Sequence, residues 1–583
     1  MRKTLRFRKL KTILLTSIFI SIFPITNLYA AGFLRTEGTR IVDNDGEFLL
    51  RGMGLGGWML QEPYMMQLSG ISKNQTDIKR RISELVGADK TKEFYSAWLK
   101  NGVQKEDIDL LATWGFNSIR LPMHYNLYMQ PSKNGVEWLE EGFSLTDSLL
   151  AWCEANKMYL ILDLHAAPGG QGNDLAISDA ADVKLWNSAR HKENTVLFWK
   201  KLAERYKDKE WIGGYDILNE PNWGFQDSED LNGCKEKLNE PLRQLYIEIT
   251  KAIRQVDKNH MIVISGNCWG NNYNGIFPLW DDNMVISIHK YWNYNTLGEI
   301  AGYLKFSEEN NAPLWLSESG ENSNTWHTDA IKLLEENNIG WCWWNYKKMP
   351  NSCPMVIPTN AEYELIKQYW KSEAERPSAD VAYKGLMKLA EDTKLQNTIF
   401  KKDYIDALFR QTKTTETMPY TKHLLKDNSP LTVYATDYDL GRCNFAFYDK
   451  DTANYRTSTG INTPWNKGNA YRNDGVDIMP CKNLGNGFCV FSIEDGEWLQ
   501  YTIDVEKAGT YSINLCTIAE NTAGAVYLSV NNKRTKTVST SGSKLNWHTS
   551  TFNKVTLNKG KNTLRVYFEK GGVKFSSIEI SKK

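Results

Sequence analysis

Eight short apolar runs recur along the first part of this chain, most of them followed by a longer amphipathic or polar stretch. They occupy residues 49–55, 117–121, 159–164, 212–218, 261–265, 285–289, 314–317 and 340–344. Helix-like segments lie between several of them, at 105–113, 145–155, 194–206, 241–256 and 328–336. Strands that alternate with helices run parallel, because each helix carries the chain back to the edge where the next strand starts. Eight such units predict an α/β fold, a closed parallel (β/α)8 barrel over 34–390. Residues 351 to 430 are charged and partly helical, as at 379–390 and 403–410, and 391–430 reads as a connector. From Leu431 the pattern changes to short alternating runs at 498–505, 509–517, 524–530 and 562–568, separated by Gly, Asn and Lys clusters. That change predicts an all-β, jelly-roll-like sandwich over 431–583.

A chain of 583 residues is long enough for two or three such cores. Its 70 Lys and Arg against 69 Asp and Glu give no general attraction to nucleic acid or to an anionic membrane surface, which leaves a neutral partner. The 21 Trp and 28 Tyr offer flat faces suited to sugar rings, or ordinary core. The opening residues Arg2, Lys3, Arg6, Arg8, Lys9 and Lys11, a mostly apolar run at 13–25 and the small pair Ala30-Ala31 make residues 1–30 a cleaved secretory signal. No later segment approaches twenty apolar residues, so no membrane span is expected. A secreted or periplasmic, cell-surface monomer is the resulting expectation. The nine cysteines contain no CxxC pair and no metal-ligand spacing; Cys481 and Cys489 are close enough in sequence to pair.

In a barrel of this kind the site is built from the carboxyl ends of the strands, so polar residues that end the apolar runs are the candidates. The second run leads into Arg120-Leu-Pro-Met-His124, the third into Asp163-Leu-His165 and the fourth into Asn219-Glu220-Pro221. The sixth leads into His289-Lys-Tyr291, the seventh into Glu318 and the eighth ends at Trp344. Glu220 and Glu318 therefore face each other across the mouth. Glycoside hydrolysis needs such a pair, one carboxylic acid to protonate the departing oxygen and one carboxylate on the other side of the anomeric carbon. Arg120 beside Glu318 would keep the nucleophile ionised. Trp58 and Glu62, after the first run, are further candidates for substrate contact, and His124 is either a cleft residue or a structural hydrogen-bond donor.

The segments NSIRLP (117–122), LDLHAAPGGQ (162–171), DILNEPN (216–222), SIHKYW (287–292), WLSESG (315–320) and GWCWWNYK (340–347) resemble glycoside hydrolase family 5. With LRGMGLGGWMLQEP (50–63) they are most similar to its exo-β-1,3-glucanase-like branch. The resemblance implies a retaining β-glucanase with Glu220 as acid/base and Glu318 as nucleophile. It implies Asn219 on the sugar 2-hydroxyl, Arg120 and Tyr291 beside the nucleophile, His165 and His289 lining the cleft, and Trp344 as a sugar platform. The chain departs from the branch at Leu164-His-Ala-Ala-Pro-Gly-Gly-Gln-Gly-Asn173, where LHGAPGSQNG is usual, so β-glucan is expected without a named linkage. No metal is implied for catalysis, since His165 and His289 lack HxH or HExxH company.

In the C-terminal part, 471–478, 496–501 and 508–511 resemble carbohydrate-binding module family 6. That resemblance implies a loop-built sugar clamp, to which Trp547 and Phe491 are the candidate rings, and a structural calcium whose ligands the sequence does not identify. Trp498, Tyr501 and Tyr511 are expected in the core of that domain. The expected partner is a β-glucan polysaccharide or oligosaccharide. The alternatives are a non-catalytic glycan-binding protein and a hydrolase of another β-linked polymer such as mannan or xylan.

Overall fold

The computed structural model describes residues 32–132, 135–227, 229–291, 293–450, 467–482 and 484–582. The expected signal segment lies outside them. Eight parallel strands close into a barrel: β1 (Arg51–Gly54), β2 (Ser118–His124), β3 (Tyr159–Ala166), β4 (Ile212–Asp216), β5 (Met261–Ser265), β6 (Met284–Lys290), β7 (Leu314–Gly320) and β8 (Gly340–Trp344). Each pairs with its neighbours in sequence, and β8 pairs with β1. The predicted α/β barrel is therefore the observed one.

The two-residue period of a strand sorts these residues into layers. Ile119, Leu121, Leu160, Leu162, Tyr215, Ile262, Ile264, Ile286, Leu316 and Trp341 point outward and pack against the surrounding helices in the largest apolar cluster. Their alternates point into the barrel. Tyr159, Ile161, Met261, Val263, Val285, Trp315 and Cys342 fill its lower half, and Leu34 and Ile41 of the preceding hairpin close that end. The upper inward positions are polar: Arg120, Asp163, Asp216, Ser265, Ser287 and Ser317 are all fully buried. A sealed apolar base thus leaves one polar mouth, and the site has only one end to occupy.

The crossover from β5 to β6 departs from the expected unit. Its one helical piece is Asn267–Gly270, while the other crossovers carry long helices such as Glu140–Ala155, Ala189–Tyr206, Glu240–Arg254, Leu297–Asn310 and Asn324–Glu336. The Gly-, Asn- and Asp-rich sequence of 266–283 offers the backbone turns in place of helix. A disulfide between Cys234 and Cys268 ties this segment to the loop after β4. Cys481 and Cys489 stay as thiols. In their hairpin Cys489 faces Met479 and Cys481 lies opposite Gly487, a diagonal that brings the two thiols into contact without a bond between the sulfurs.

The stretch read as a connector is not a spacer. Helix Lys402–Phe409 packs on barrel helix Asn324–Glu336, and Thr328 Oγ1 donates to Ala407 O at 2.9 Å. Strand His423–Leu425 already belongs to the sandwich, parallel to Trp498–Val505. One sheet runs His423–Leu425, Trp498–Val505, Gly560–Lys570, Ala525–Val530 and Lys533–Arg534. The other runs Ile478–Pro480, Phe488–Val490, Val573–Lys582, Gly509–Ala519 and His548–Leu557. Tyr501 and Tyr511 enter the core between them, as expected. Trp498 does not: Leu499, Tyr501, Ile503 and Val505 take the inward positions, so the alternation turns Trp498 onto the outer face, beside Tyr567 and under Arg565.

Leu162 sits mid-strand in β3 with no exposed surface. Leu162→Ala is expected to cost about 2–5 kcal/mol through lost burial and the cavity left behind, read as a lower midpoint of urea unfolding.

Candidate active site

Arg120, fully buried inside β2, organises the mouth of the barrel. Its Nε and one terminal nitrogen donate to Asp216 Oδ2 at 2.9 and 2.8 Å. The same terminal nitrogen donates to Asn219 Oδ1 at 2.7 Å and lies 3.2 Å from Asp163 Oδ2. The other donates to Glu318 Oε2 at 2.8 Å. Burial works against the guanidinium charge, but Asp163, Asp216 and Glu318 together outweigh it and raise its pKa. One cation cannot neutralise three buried carboxylates, and the excess appears as proton affinity: burial pushes Asp163 up to about 7 and Asp216 up to about 6, against the pull of Arg120. Asp163 Oδ1 and Asp216 Oδ1 have no hydrogen-bond partner within the protein, which leaves each free to carry that proton.

Glu318 reaches this cluster through an irregularity in β7. Strict alternation after Trp315 turns Ser317 inward and Glu318 outward. Register shifts against both neighbouring strands instead set Glu318 beside His289 of β6. Its second oxygen, Oε1, accepts from Tyr291 Oη at 2.7 Å. Glu220 has a different setting. It follows β4 in a left-handed backbone conformation, φ 42°, fixed by Asn222, whose amide donates to the Glu220 carbonyl at 2.9 Å. Its carboxyl meets His289 Nδ1 at 2.6 Å. Burial pushes Glu220 up to about 8; Arg120 opposes that shift, and Asp174 and Asp163 add to it. Oxygens of Glu220 and Glu318 and a ring nitrogen of His289 lie within 4.8 Å of one another. A cation would find three donors there and would have to displace the proton that burial favours on Glu220. Among the described residues no comparable trio of acidic, thiol or imidazole groups gathers in the sandwich, where calcium was expected.

The other expected residues fall into three groups. His165, His289, Tyr291 and Trp344 line an open cleft of about 670 Å³ together with both glutamates. Burial pushes His165 down to about 3, so its ring is neutral. Its Nδ1 meets Asp163 at 2.7 Å and its Nε2 meets the Asn219 amide at 3.3 Å, which leaves Asn219 one free amide hydrogen to offer a ligand. The Trp344 indole stacks on His165, centroids 5.3 Å apart, and donates to Tyr64 Oη at 2.7 Å. A Cβ at Gly56 would run into that indole, which accounts for the glycine there. Arg120 and Asn219 form the floor beneath. His124 stands apart: it accepts from the Asn126 amide through Nδ1, so Nε2 donates to Asp179 at 2.9 Å, outside the cleft lining. Of the two open candidates after β1, Glu62 lines the cleft, 3.9 Å from His165, with its pKa raised by burial and by Glu318 and Glu220. Trp58 turns away and donates to Leu99 O.

Tyr64, Trp269, Asp174 and Glu321 also line the cleft and were not anticipated. Each lies beyond the end of its strand, where a search of strand termini does not reach. Tyr64 had a signal, being two residues past Glu62. In the sandwich, Phe491 and Trp547 flank the same end of one sheet, since Val490, Phe575, Thr517 and His548 form a single row across four strands. Three strand spacings, about 14 Å, separate their strands.

A closed parallel barrel with two carboxylates facing each other across its polar mouth is the architecture of a glycoside hydrolase. Residues 75–349 match the cellulase family, glycosyl hydrolase family 5, and residues 469–582 match carbohydrate binding module family 6. The chain carries a domain of each of these two families. A β-xylosidase of Phanerodontia chrysosporium is 32% identical over 265 residues, 44% of this chain and 52% of the relative. Endoglucanase C of Acetivibrio thermocellus is 26% identical over 313 residues, 42% of this chain and 84% of its own. A probable glucan 1,3-beta-glucosidase A of Aspergillus clavatus is 24% identical over 259 residues, 43% and 57%. The chain spans about half the length of the first of these relatives.

Arg120→Met would leave three buried carboxyls without their cation. Asp163 and Asp216 have raised folded-state values, so their contribution to stability is present at low pH and is lost as pH rises through about 6 to 7. The variant is expected to lose about 3–5 kcal/mol at pH 8 and less at pH 5, measured by chemical denaturation at both.

Proposed function

We propose that this protein is a secreted retaining β-glycosidase of β-1,3- or β-1,4-glucans, with Glu220 as acid/base and Glu318 as nucleophile. The observation that carries the reading is the pair itself: two carboxyl groups with oxygens within 4.8 Å of each other, one with its pKa pushed up to about 8 by burial and the other held between Arg120 and Tyr291. That spacing leaves no room for a water between carboxylate and sugar, which favours direct attack and retention of configuration. In the first step Glu318 bonds to the anomeric carbon while Glu220 gives its proton to the departing oxygen. In the second, Glu220, now a carboxylate, takes a proton from water as that water displaces Glu318. Asn219 offers its free amide hydrogen to the sugar 2-hydroxyl, and Trp344 provides the ring platform. The activities for which the relatives are named support a glucan, and the β-xylosidase among them makes xylan the first competitor. Secretion is supported by the basic and apolar start of the sequence and by the Cys234–Cys268 disulfide. The sandwich is assigned to glycan binding through Trp547 and Phe491.

Glu318→Ala is expected to lower turnover of an aryl β-glucoside on the order of 10⁴-fold with folding intact. Azide should rescue it to an α-glycosyl azide, and should rescue Glu220→Ala to a β-glycosyl azide. The reverse pattern would exchange the two roles, and full activity in Glu318→Ala would remove the mechanism. Products from β-1,3-, β-1,4- and mixed-linked glucans, with xylan and mannan beside them, assign the substrate.

A general acid works while protonated, so kcat/KM is expected to fall as pH rises through about 8. Because the charge of Asp174 raises Glu220, Asp174→Asn should move that limb to lower pH, seen in a pH profile with the aryl glycoside.

A further inference from the structure

The seam between barrel and sandwich is polar, buried and continuous with the mouth of the barrel. Asn324, at the start of the helix after β7, donates its backbone N–H to Asn473 O at 2.8 Å. Its side-chain amide donates to Asp474 Oδ1 at 2.6 Å and to Asp403 Oδ2 at 2.8 Å. Thr325 Oγ1 donates to Asp474 O at 2.8 Å. On the sandwich side Asp474 is held by Arg472 at 2.6 Å, and Arg442 reaches barrel residue Asp329 at 2.9 Å. Asn322, Asn324, Asp403, Arg472, Asn473 and Asp474 are all at most 8% exposed, so these bonds are not screened by water.

From this seam one path leads to the reacting centre. The Asn473 side chain donates to Asn322 O at 3.0 Å. The Asn322 side chain donates to Tyr291 O at 3.1 Å, and the Tyr291 hydroxyl donates to Glu318 at 2.7 Å. Every link is a hydrogen bond between buried or half-buried groups on short, constrained backbone, and the loop they hold directly follows the strand that carries Glu318.

We propose that Asn473, a residue of the C-terminal module, is a positioning residue for the hydrolase centre. It fixes Asn322, and through it the backbone of Tyr291, so that the tyrosine hydroxyl stays aimed at Glu318. The module is on this view part of the catalytic unit as well as a binding appendage. The proposal rests on the glutamate-pair mechanism for its kinetic consequence but not for its structural one.

The test compares full-length Asn473→Ala with Thr325→Val, which loosens the same seam outside the path. Asn473→Asp, which keeps the shape and loses the donor, serves if the alanine variant does not fold. Expected is a fall in kcat of about tenfold with KM within about twofold for Asn473→Ala, the size an ordinary hydrogen bond carries. Thr325→Val should leave kcat unchanged. The Asn473→Ala effect should vanish in a Tyr291→Phe background, because both changes cut one path. Equal effects of Asn473→Ala and Thr325→Val, or additivity with Tyr291→Phe, would overturn the proposal. Hydrogen–deuterium exchange over 284–291 gives a readout that needs no turnover: it should speed up in Asn473→Ala and not in Thr325→Val. If the wild-type protein cleaves no glycoside of the panel, the functional reading fails, and this exchange comparison alone decides the path, with equal rates overturning it.

Discussion

A single guanidinium inside the barrel sets the terms for everything above it. Arg120 draws Asp163, Asp216, Asn219 and Glu318 from the ends of three strands onto one planar fork, and each partner is thereby fixed in direction as well as distance. The arrangement tolerates no partial version, since a buried carboxylate without its cation is among the costliest groups a core can hold. It also divides the two glutamates. Glu318 shares the cation directly, whereas Glu220 meets His289 instead and keeps its proton. Two identical side chains on one rim thus sit in different settings, Glu318 on the cation and Glu220 against His289 with its proton affinity raised by burial.

The barrel and its rim were legible because period and position coincide there. Apolar runs ending in polar residues named Arg120, His165, Asn219, Glu220, His289, Tyr291, Glu318 and Trp344, and strand alternation then carries Arg120, His165 and His289 inward. Glu318 sits inward only through a register shift, which no pattern of residue types encodes. His124 takes the second of its two readings, the structural donor. It ends its strand like the others, but a local amide and Asp179 occupy both of its ring nitrogens. Trp269 and Glu321 were invisible because loops carry them to the cleft, and loop paths depend on contacts distant in sequence, such as Cys234 with Cys268.

The sandwich was read less completely, and Trp498 shows why. An aromatic residue in a strand suits either face, and only the register of its neighbours decides. The segment 471–478 is a similar case. As sequence it marks the module's family; in the structure Arg472, Asn473 and Asp474 are spent on the seam with the barrel.

That seam bears on how such a chain can change over generations. Catalytic and binding modules joined by a loose tether can be exchanged like cassettes, since neither notices the other's replacement. Here a foreign sandwich would break the bonds of Asn324 to Asn473 and Asp474 and that of Asp403 to Asn473, at about 1–3 kcal/mol for each polar group stranded. Exchange at this junction therefore carries a stability cost in the barrel as well as at the border.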